Sequence, residues 1–177
     1  MDCIHKDSIR QLRTRIEAAE SIAIVGHTHP DGDALGSTVA LNLFLKKAFG
    51  KKAVCLFPDT PADNLLFLLP EQVPSLFHDR DAEVAEGCVR DADLVFLLDC
   101  NSFSRTEGLQ KILEASPAPK ILIDHHLNPD TPAFDLVFST PDISSASELL
   151  YWILKELLCG LSGNGGTVGI EGTLNDG

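Results

Sequence analysis

The polar residues of segment 26–37 are the ones in this chain best suited to chemistry. His27, Asp31 and Asp33 supply an imidazole and two carboxylates, with a proline and a glycine between them that impose tight backbone geometry. Such a loop favours metal binding. Taken alone, it can also be a polar turn that precedes a helix and contributes an aspartate cap.

Two further groups of polar residues follow later apolar runs. Asp99 comes directly after residues 94–98, and Asp124, His125 and His126 come directly after the next apolar run. Each has an ordinary alternative, a helix cap for Asp99 and a solvated strand end for the triplet. The recurrence of His and Asp after three apolar runs nevertheless indicates one shared site. Mixed imidazole and carboxylate ligands suit manganese, iron, cobalt or zinc, whereas magnesium prefers oxygen ligands alone.

The apolar runs predict the elements that must position these residues. They lack polar alternation, which is typical of parallel strands covered on both faces. Helical spacing of Ile9, Leu12 and Ile16 predicts an opening helix with Asp7 and Ser8 as its cap. The predicted strands cover residues 22–25, 53–57, 94–98 and 120–123, and the other predicted helices cover 36–49, 64–69 and 147–158.

This alternation predicts an α/β fold with an open, mostly parallel β-sheet and helices on both faces. Ligands of such sheets bind outside the carboxyl ends of the strands, where the three polar groups should converge. Because neighbouring side chains of extended chain point to opposite sides, we expect one of His125 and His126 to bind metal and the other to reach substrate. Gly36 and Ser37 are expected to open a helix whose amides suit an anion.

Composition limits the function classes. The net charge of −12 disfavours a broad grip on duplex nucleic acid, although bound cations can reverse the field within a site. No apolar run approaches the roughly 20 residues of a membrane span, so we expect a cytoplasmic protein with no membrane partner. The five cysteines are odd in number and form no C-x-x-C pair, which favours reduced thiols over a disulfide framework, with Cys55 and Cys100 as core residues. The lack of clustered cysteines also disfavours a zinc site.

The pattern His27-x-x-x-Asp31-x-Asp33, the strand-end Asp99, and Asp124-His125-His126 resemble the first three motifs of the DHH phosphoesterase superfamily. The resemblance covers roughly residues 20 to 155, and the motifs occur in the family's order. The superfamily includes RecJ-type exonucleases, family-II pyrophosphatases, cyclic-dinucleotide phosphodiesterases and nano-RNases that also dephosphorylate 3′-phosphoadenosine 5′-phosphate. Segment 26–37 looks most similar to the nano-RNase group.

The resemblance implies a site for two Mn²⁺ ions, with Mg²⁺ or Co²⁺ as alternatives. His27 and Asp31 would bind one ion, Asp33 and His125 would bind the second, and Asp99 would bridge both.

The resemblance also implies roles around the ions. His126 would contact the substrate phosphate, and Asp124 would orient its neighbours, so that Asp99, His126 and Asp124 form the catalytic set. Ser37 and Arg105 are candidates for further phosphate contacts, although Arg105 is equally consistent with a solvated helix residue. His29 occupies no ligand position of the family.

A fourth family motif supplies one more aspartate for the second ion. The nearest match is segment 172–177, with Asp176 as the ligand, but Thr173 and Asn175 depart from the family pattern. We therefore expect a metal-binding domain over residues 1–159, followed at 160–177 by a glycine-rich tail or the start of this motif. The family's second, substrate-binding domain is expected to be absent from this chain.

The expected function is divalent-metal-dependent hydrolysis of phosphodiester or phosphomonoester bonds in short oligoribonucleotides or small phosphorylated nucleotides. Exopolyphosphatase and pyrophosphatase activities remain alternatives. A second class of function is a truncated domain that binds metal or nucleotide without turnover. A homodimer is also left open.

Overall fold

The sheet of this protein, seen in a computed structural model that describes residues 3–162, is built from six strands. They are β1 (Ser21–Val25), β2 (Lys52–Phe57), β3 (Ser75–Phe77), β4 (Leu94–Leu98), β5 (Lys120–Asp124) and β6 (Leu136–Ser139). All neighbouring strands are parallel, in the order β3-β2-β1-β4-β5-β6. The predicted α/β fold is confirmed, with a sheet that is parallel throughout.

Within residues 3–162, five α-helices cover the two faces of the sheet. They are α1 (Lys6–Ala18), α2 (Gly32–Phe49), α3 (His78–Asp91), α4 (Gln110–Ala115) and α5 (Ala146–Ser162), and short 3-10 segments lie at Asp63–Leu68, Phe103–Leu109 and Thr131–Ala133. Helices α1, α2 and α5 pack on one face, and α3 and α4 pack on the other. No helix within residues 3–162 is long and apolar enough to cross a membrane.

The apolar strands are buried on both sides, as their composition requires. In β1, Ile22 and Ile24 face the layer of α1, α2 and α5, whereas Ala23 and Val25 face the opposite layer. All five residues of β4 are buried. Burying one large aliphatic side chain stabilises a fold by about 1.5–3 kcal/mol, so this central strand anchors both layers. Cys55 and Cys100 are completely buried, which confirms them as core residues.

Helix α2 begins four residues earlier than its apolar pattern predicts. The Asp31 side chain caps it by accepting hydrogen bonds from the backbone N–H groups of Asp33 and Ala34. Gly36 and Ser37 consequently lie within the helix and do not open it, so that expectation is wrong. The helix ends as predicted at Gly50, whose φ of 65° is left-handed.

The predicted cap of α1 is also wrong. His5 is the N-cap residue and makes no side-chain capping bond, while Asp7 lies in the first turn and pairs with Arg10. The last helix, α5, continues to Ser162, three residues past the domain boundary expected at Cys159.

The order of the strands reverses beside β1, whose two neighbours are β2 and β4. Val25 at the end of β1 pairs with Leu97 near the end of β4, and Leu98 pairs with Ile123 in β5. The chain segments that leave β1, β4 and β5 therefore emerge side by side. A crevice at such a reversal is the usual ligand site of an open α/β sheet.

Candidate metal centre

His27, just beyond β1, is a buried histidine with a fixed ring orientation. Its side chain is 5% exposed, and Nδ1 lies 2.6 Å from the carbonyl oxygen of Thr28. A carbonyl can only accept, so Nδ1 carries the proton and Nε2 faces Asp99 Oδ2 at 3.5 Å. Burial lowers the pKa of His27, but the protonated ring can donate to both Asp99 and the Thr28 carbonyl, which outweighs the effect of burial, and the net pKa is raised.

Asp31 lies next to His27 at the start of α2. Both of its capping bonds, 2.9 Å and 3.0 Å long, end on Oδ1, which leaves the second carboxylate oxygen for another partner. One ligand atom each from His27, Asp31 and Asp99 lie within 4.8 Å of one another. This spacing suits a single cation bound by one imidazole and two carboxylates.

Asp99, the first residue after β4, has an unusual environment. It is 2% exposed, its φ of 56° is left-handed, and its Oδ1 atom has no hydrogen-bond partner among the described residues. Left-handed backbone at a non-glycine residue costs on the order of 1–3 kcal/mol, and an unpaired buried carboxylate oxygen is also costly. A carboxylate in this position fits a bound cation, which would satisfy that oxygen.

The rings of His125 and His126 both face Asp99. Nε2 of His125 lies 3.3 Å from Asp99 Oδ1, without hydrogen-bond geometry, and Nδ1 of His126 lies 3.8 Å from the same oxygen. Their ring centroids are 4.6 Å apart. The expectation that the two side chains point to opposite sides is wrong, because β5 ends at Asp124 and the chain bends there.

These two histidines and Asp99 form a second group whose ligand atoms also lie within 4.8 Å of one another. Asp99 therefore belongs to both groups, and the two potential cation positions share its carboxylate.

Asp124 is completely buried and contacts His126 twice. Its Oδ1 accepts from His126 Nδ1 at 2.7 Å, and its Oδ2 accepts from the His126 backbone N–H at 3.1 Å. In the neutral ring, this arrangement places the proton on Nδ1 and leaves Nε2 available. The orienting contact of Asp124 is thus made with His126.

Asp33 has more partners than its position in the sequence indicates. Its Oδ2 accepts from the N–H of Ala146 at 2.7 Å, and its Oδ1 accepts from the N–H of Ser147 at 2.9 Å. Oδ2 also lies 3.8 Å from His125 Nε2. Asp33 is therefore close to the second group while it caps the first turn of α5.

Of the remaining expected residues, Ser37 is placed away from the metal groups. Ser37 is completely buried, and its hydroxyl donates to the carbonyl of Ala34 at 3.3 Å, so it does not reach the site. Arg105 is half-buried, and its cation is close enough to act against the raised pKa of His27. Asp176 lies outside the described residues.

The loop that carries His27 is held by hydrogen bonds to residues that the sequence analysis did not identify. The Thr28 N–H donates to the carbonyl of Arg105 at 2.8 Å, and the Thr28 hydroxyl lies 2.9–3.0 Å from both carboxylate oxygens of Asp59. The only signal for Asp59 is that it follows β2 closely, as the other site residues follow their strands.

Gly26 allows the close approach of this loop to β2. A Cβ atom at this position would lie 2.7–2.8 Å from the ring of Phe57, closer than real Cβ atoms come. Glycine is therefore required by space at the point where the loop leaves β1.

Known proteins share both the sequence and the fold of this region. Residues 21–167 match the DHH family, N-terminal domain. A probable manganese-dependent inorganic pyrophosphatase of Streptococcus agalactiae is 29% identical over 140 residues, which are 76% of this chain and 41% of that protein. The crystal structure of an exopolyphosphatase-related protein from Bacteroides fragilis has a TM-score of 0.82 and 34% identity, covering 87% of this chain and 44% of that one.

A Sir2 enzyme structure shares the fold alone, with a TM-score of 0.55 and 11% identity over 88% of this chain and 99% of that one. The chain spans less than half the length of the pyrophosphatase and of the exopolyphosphatase-related protein. The family match covers most of the chain and contains both groups of potential ligands. This chain therefore belongs to the DHH family.

Proposed function

We propose that this protein is a phosphoesterase that uses two divalent ions, manganese by preference, at the carboxyl edge of its sheet. The observation that carries the proposal is Asp99, which belongs to two groups of potential ligands and has a buried carboxylate oxygen, Oδ1, without a hydrogen-bond partner among residues 3–162. If this site bound no cation, an apolar residue in place of Asp99 would destabilise the protein less than the buried carboxylate does. The manganese dependence named for the Streptococcus relative supports the choice of ion.

In this proposal, His27 and Asp31 bind the first ion, Asp33 and His125 bind the second, and Asp99 binds both. The first set is supported by ligand atoms within 4.8 Å of one another. The role of Asp33 is supported by its 3.8 Å distance to His125. Asp176 is proposed as a further ligand of the second ion on the family resemblance alone.

The remaining residues position the phosphate and move protons. The two ions would neutralise phosphate charge and supply an acidified water molecule as the nucleophile. Asp124 keeps the His126 ring in one orientation, so Nε2 faces away from Asp124 and can contact a phosphate oxygen. In its protonated form, His126 can donate the Nε2 proton to the oxygen that leaves. Arg105 adds a positive charge on the side of His27.

The proposed substrates are short oligoribonucleotides or small phosphorylated nucleotides. Pyrophosphate and polyphosphate are the second candidates, and the names of the two relatives favour them. Both classes present a phosphoryl group with an oxygen leaving group, so the same arrangement of ions serves either. The net charge of −12 disfavours long nucleic acids, which are bound mainly through lysine and arginine.

The test combines a manganese titration with a panel of substrates. Calorimetry on the metal-free protein is expected to show two manganese ions bound per chain, and hydrolysis is expected to require manganese. The panel contains a bis-aryl phosphodiester, diribonucleotides, 3′-phosphoadenosine 5′-phosphate, pyrophosphate and polyphosphate. A chain that binds no manganese would refute the proposal. Manganese binding without turnover on any substrate would favour a metal-binding domain.

A further inference from the structure

Asp59 makes several hydrogen bonds to the loop that carries His27. It lies two residues beyond β2, and its side chain is 24% exposed. Its two oxygens accept the Thr28 hydroxyl at 2.9 Å and 3.0 Å, and Oδ2 also accepts the backbone N–H of His29. A carboxylate that accepts both a hydroxyl and an N–H fixes the direction of each donor.

The His29 N–H belongs to the same peptide unit as the Thr28 carbonyl. A trans peptide is planar, and its C=O and N–H point in opposite directions. When Asp59 fixes the N–H on one side, the carbonyl is directed to the other side. There it accepts the Nδ1 proton of His27 at 2.6 Å. The orientation of the His27 ring therefore depends on the direction of this peptide plane.

Two features show that the peptide would not keep this orientation by itself. His29 has a φ of 49°, a left-handed conformation that costs free energy in a non-glycine residue. The His29 side chain is 88% exposed, so packing of its ring does not fix the backbone. The contacts that oppose the strain are those to Asp59, together with the Thr28 N–H bond to the Arg105 carbonyl.

We propose that Asp59 is a positioning residue that fixes His27 as the Nδ1-protonated tautomer through the Thr28–His29 peptide plane. Nε2 of His27 is thereby left as a lone-pair donor that faces Asp99, 3.5 Å from Oδ2. The negative charge of Asp59 also polarises the peptide, which makes the Thr28 carbonyl a stronger acceptor. This inference rests on the proposed function only in assigning the lone pair to a metal ion.

The first measurement is made without metal, so it is independent of the proposed function. Nitrogen-15 NMR of the histidine rings, at a pH above the His27 pKa, reports which nitrogen carries the proton. The parent protein is expected to show His27 protonated at Nδ1. In Asp59→Ala, a fraction protonated at Nε2 is expected to appear, because the carbonyl is no longer held toward the ring. An unchanged Nδ1 tautomer in Asp59→Ala would overturn the inference.

The second measurement is the manganese affinity by calorimetry. Loss of a group that orients a ligand usually weakens metal affinity by about 10- to 100-fold, and this loss is expected for Asp59→Ala. The matched control is Asp93→Asn. Asp93 accepts the N–H groups of Glu20 and Ser21 at the opposite end of β1, so its loss is expected to lower stability without changing the tautomer or the affinity.

A second pair of variants covers the case in which Asp59→Ala does not fold. Thr28→Val removes the hydroxyl that Asp59 accepts, and Thr28→Ser keeps it. Thr28→Val is expected to shift the tautomer and weaken manganese binding, and Thr28→Ser is expected to behave like the parent. Equal behaviour of the two variants would refute the role of the Asp59 contact. If the parent protein binds no manganese while the tautomer shift is present, the proposed function fails and the positioning role stands.

Discussion

Asp99 lowers the stability of the metal-free protein. Its carboxylate is buried, one oxygen lacks a hydrogen-bond partner among residues 3–162, and its backbone is left-handed. Three imidazoles, of His27, His125 and His126, lie within 3.8 Å of this carboxylate. Residues with strained backbone cluster at functional sites, where the surrounding structure or a bound ligand offsets the loss of stability. The stability of the protein should therefore depend on metal at this residue more than at any surface carboxylate.

We predict that Asp99→Asn is at least as stable as the parent without metal but is not stabilised by manganese. Asparagine tolerates the left-handed backbone, and a neutral side chain lowers the cost of burying an unpaired group, which is about 1–3 kcal/mol and more when the group is charged. The loss of a shared carboxylate should remove the binding of both ions. Thermal unfolding with chelator and with excess manganese measures both effects. If manganese raised the melting temperature of the variant as much as that of the parent, Asp99 would not be the shared ligand.

Several residues of the site could be predicted from the sequence, but the contacts that they make could not. His27, Asp99 and His125 could be identified because each follows an apolar run, and parallel strands place their carboxyl ends at one edge. Asp59 could not be identified in this way, since its contact depends on the direction of one peptide plane. The contact of Asp33 with α5 could not either, because it joins residues more than a hundred positions apart.

The start of α5 is linked to the site by Asp33. The first four N–H groups of a helix, counted from its N-cap residue, have no partner within it. Here Asp33 accepts those of Ala146 and Ser147, and the Ser145 hydroxyl accepts that of Glu148. The free N–H groups at the start of α5 are thus bonded partly by Asp33, a proposed metal ligand, and partly by the N-cap residue Ser145.

We predict that Asp33→Ala lowers the free energy of unfolding by about 1 kcal/mol even with chelator present, because it removes an N-terminal cap. Amide hydrogen exchange at Ala146 and Ser147 should become faster. Ser145→Ala is the matched control, since it removes a cap from the same helix without touching the site. It should lower stability similarly and leave manganese affinity unchanged, whereas Asp33→Ala should lose affinity as well. Parent-like stability of Asp33→Ala in chelator would contradict the capping role.

The packing of the loop between β1 and α2 requires a residue without a side chain at position 26, which is Gly26. We predict that Gly26→Ala costs about 1–3 kcal/mol of stability, because the added methyl group overlaps the buried Phe57 ring, which stacks on Phe77 at 5.9 Å. Urea unfolding measures the change. Gly32→Ala is the control, since no atom lies within 4 Å of a Cβ there. A second substitution, Phe57→Leu, should recover part of the loss.

The elements that the sequence did not predict are short or polar. Strand β3 has three residues and β6 has four, too few for a clear hydrophobic period. Helix α3 buries only Ala85 and Val89 along its length, so its apolar stripe is weak. The long apolar strands β1, β4 and β5 were predictable because burial on both faces leaves few residue types that fit.

At the scale of the whole molecule, the shared region is less than half of each longer relative. We predict that residues 1–177 tested alone bind manganese but turn over slowly. Contacts that orient a substrate can lower a barrier by roughly 7–11 kcal/mol, and among residues 3–162 we place one cation, Arg105, near the site. The expected result is a native state stabilised by about 2.7 kcal/mol for each bound ion at a manganese concentration 100 times Kd, with little hydrolysis of diribonucleotides.

Fusion of this chain to the unmatched part of the Bacteroides fragilis protein provides the comparison for that measurement. The fusion should raise turnover without changing manganese affinity. Turnover by residues 1–177 at about 10 per second, an ordinary enzyme rate, would show that no further substrate-binding part is needed.

The strand order also affects the folding kinetics of the protein. Ile22 of β1 pairs with Leu94 of β4, so the loops that carry His27 and Asp99 meet only after a long-range pairing has formed. Such pairings make folding slow. An ion that needs both loops binds late, and it stabilises the native state more than the transition state. Manganese should therefore leave the refolding rate nearly unchanged and slow unfolding, which lengthens the lifetime of the folded chain under proteolysis or brief heating.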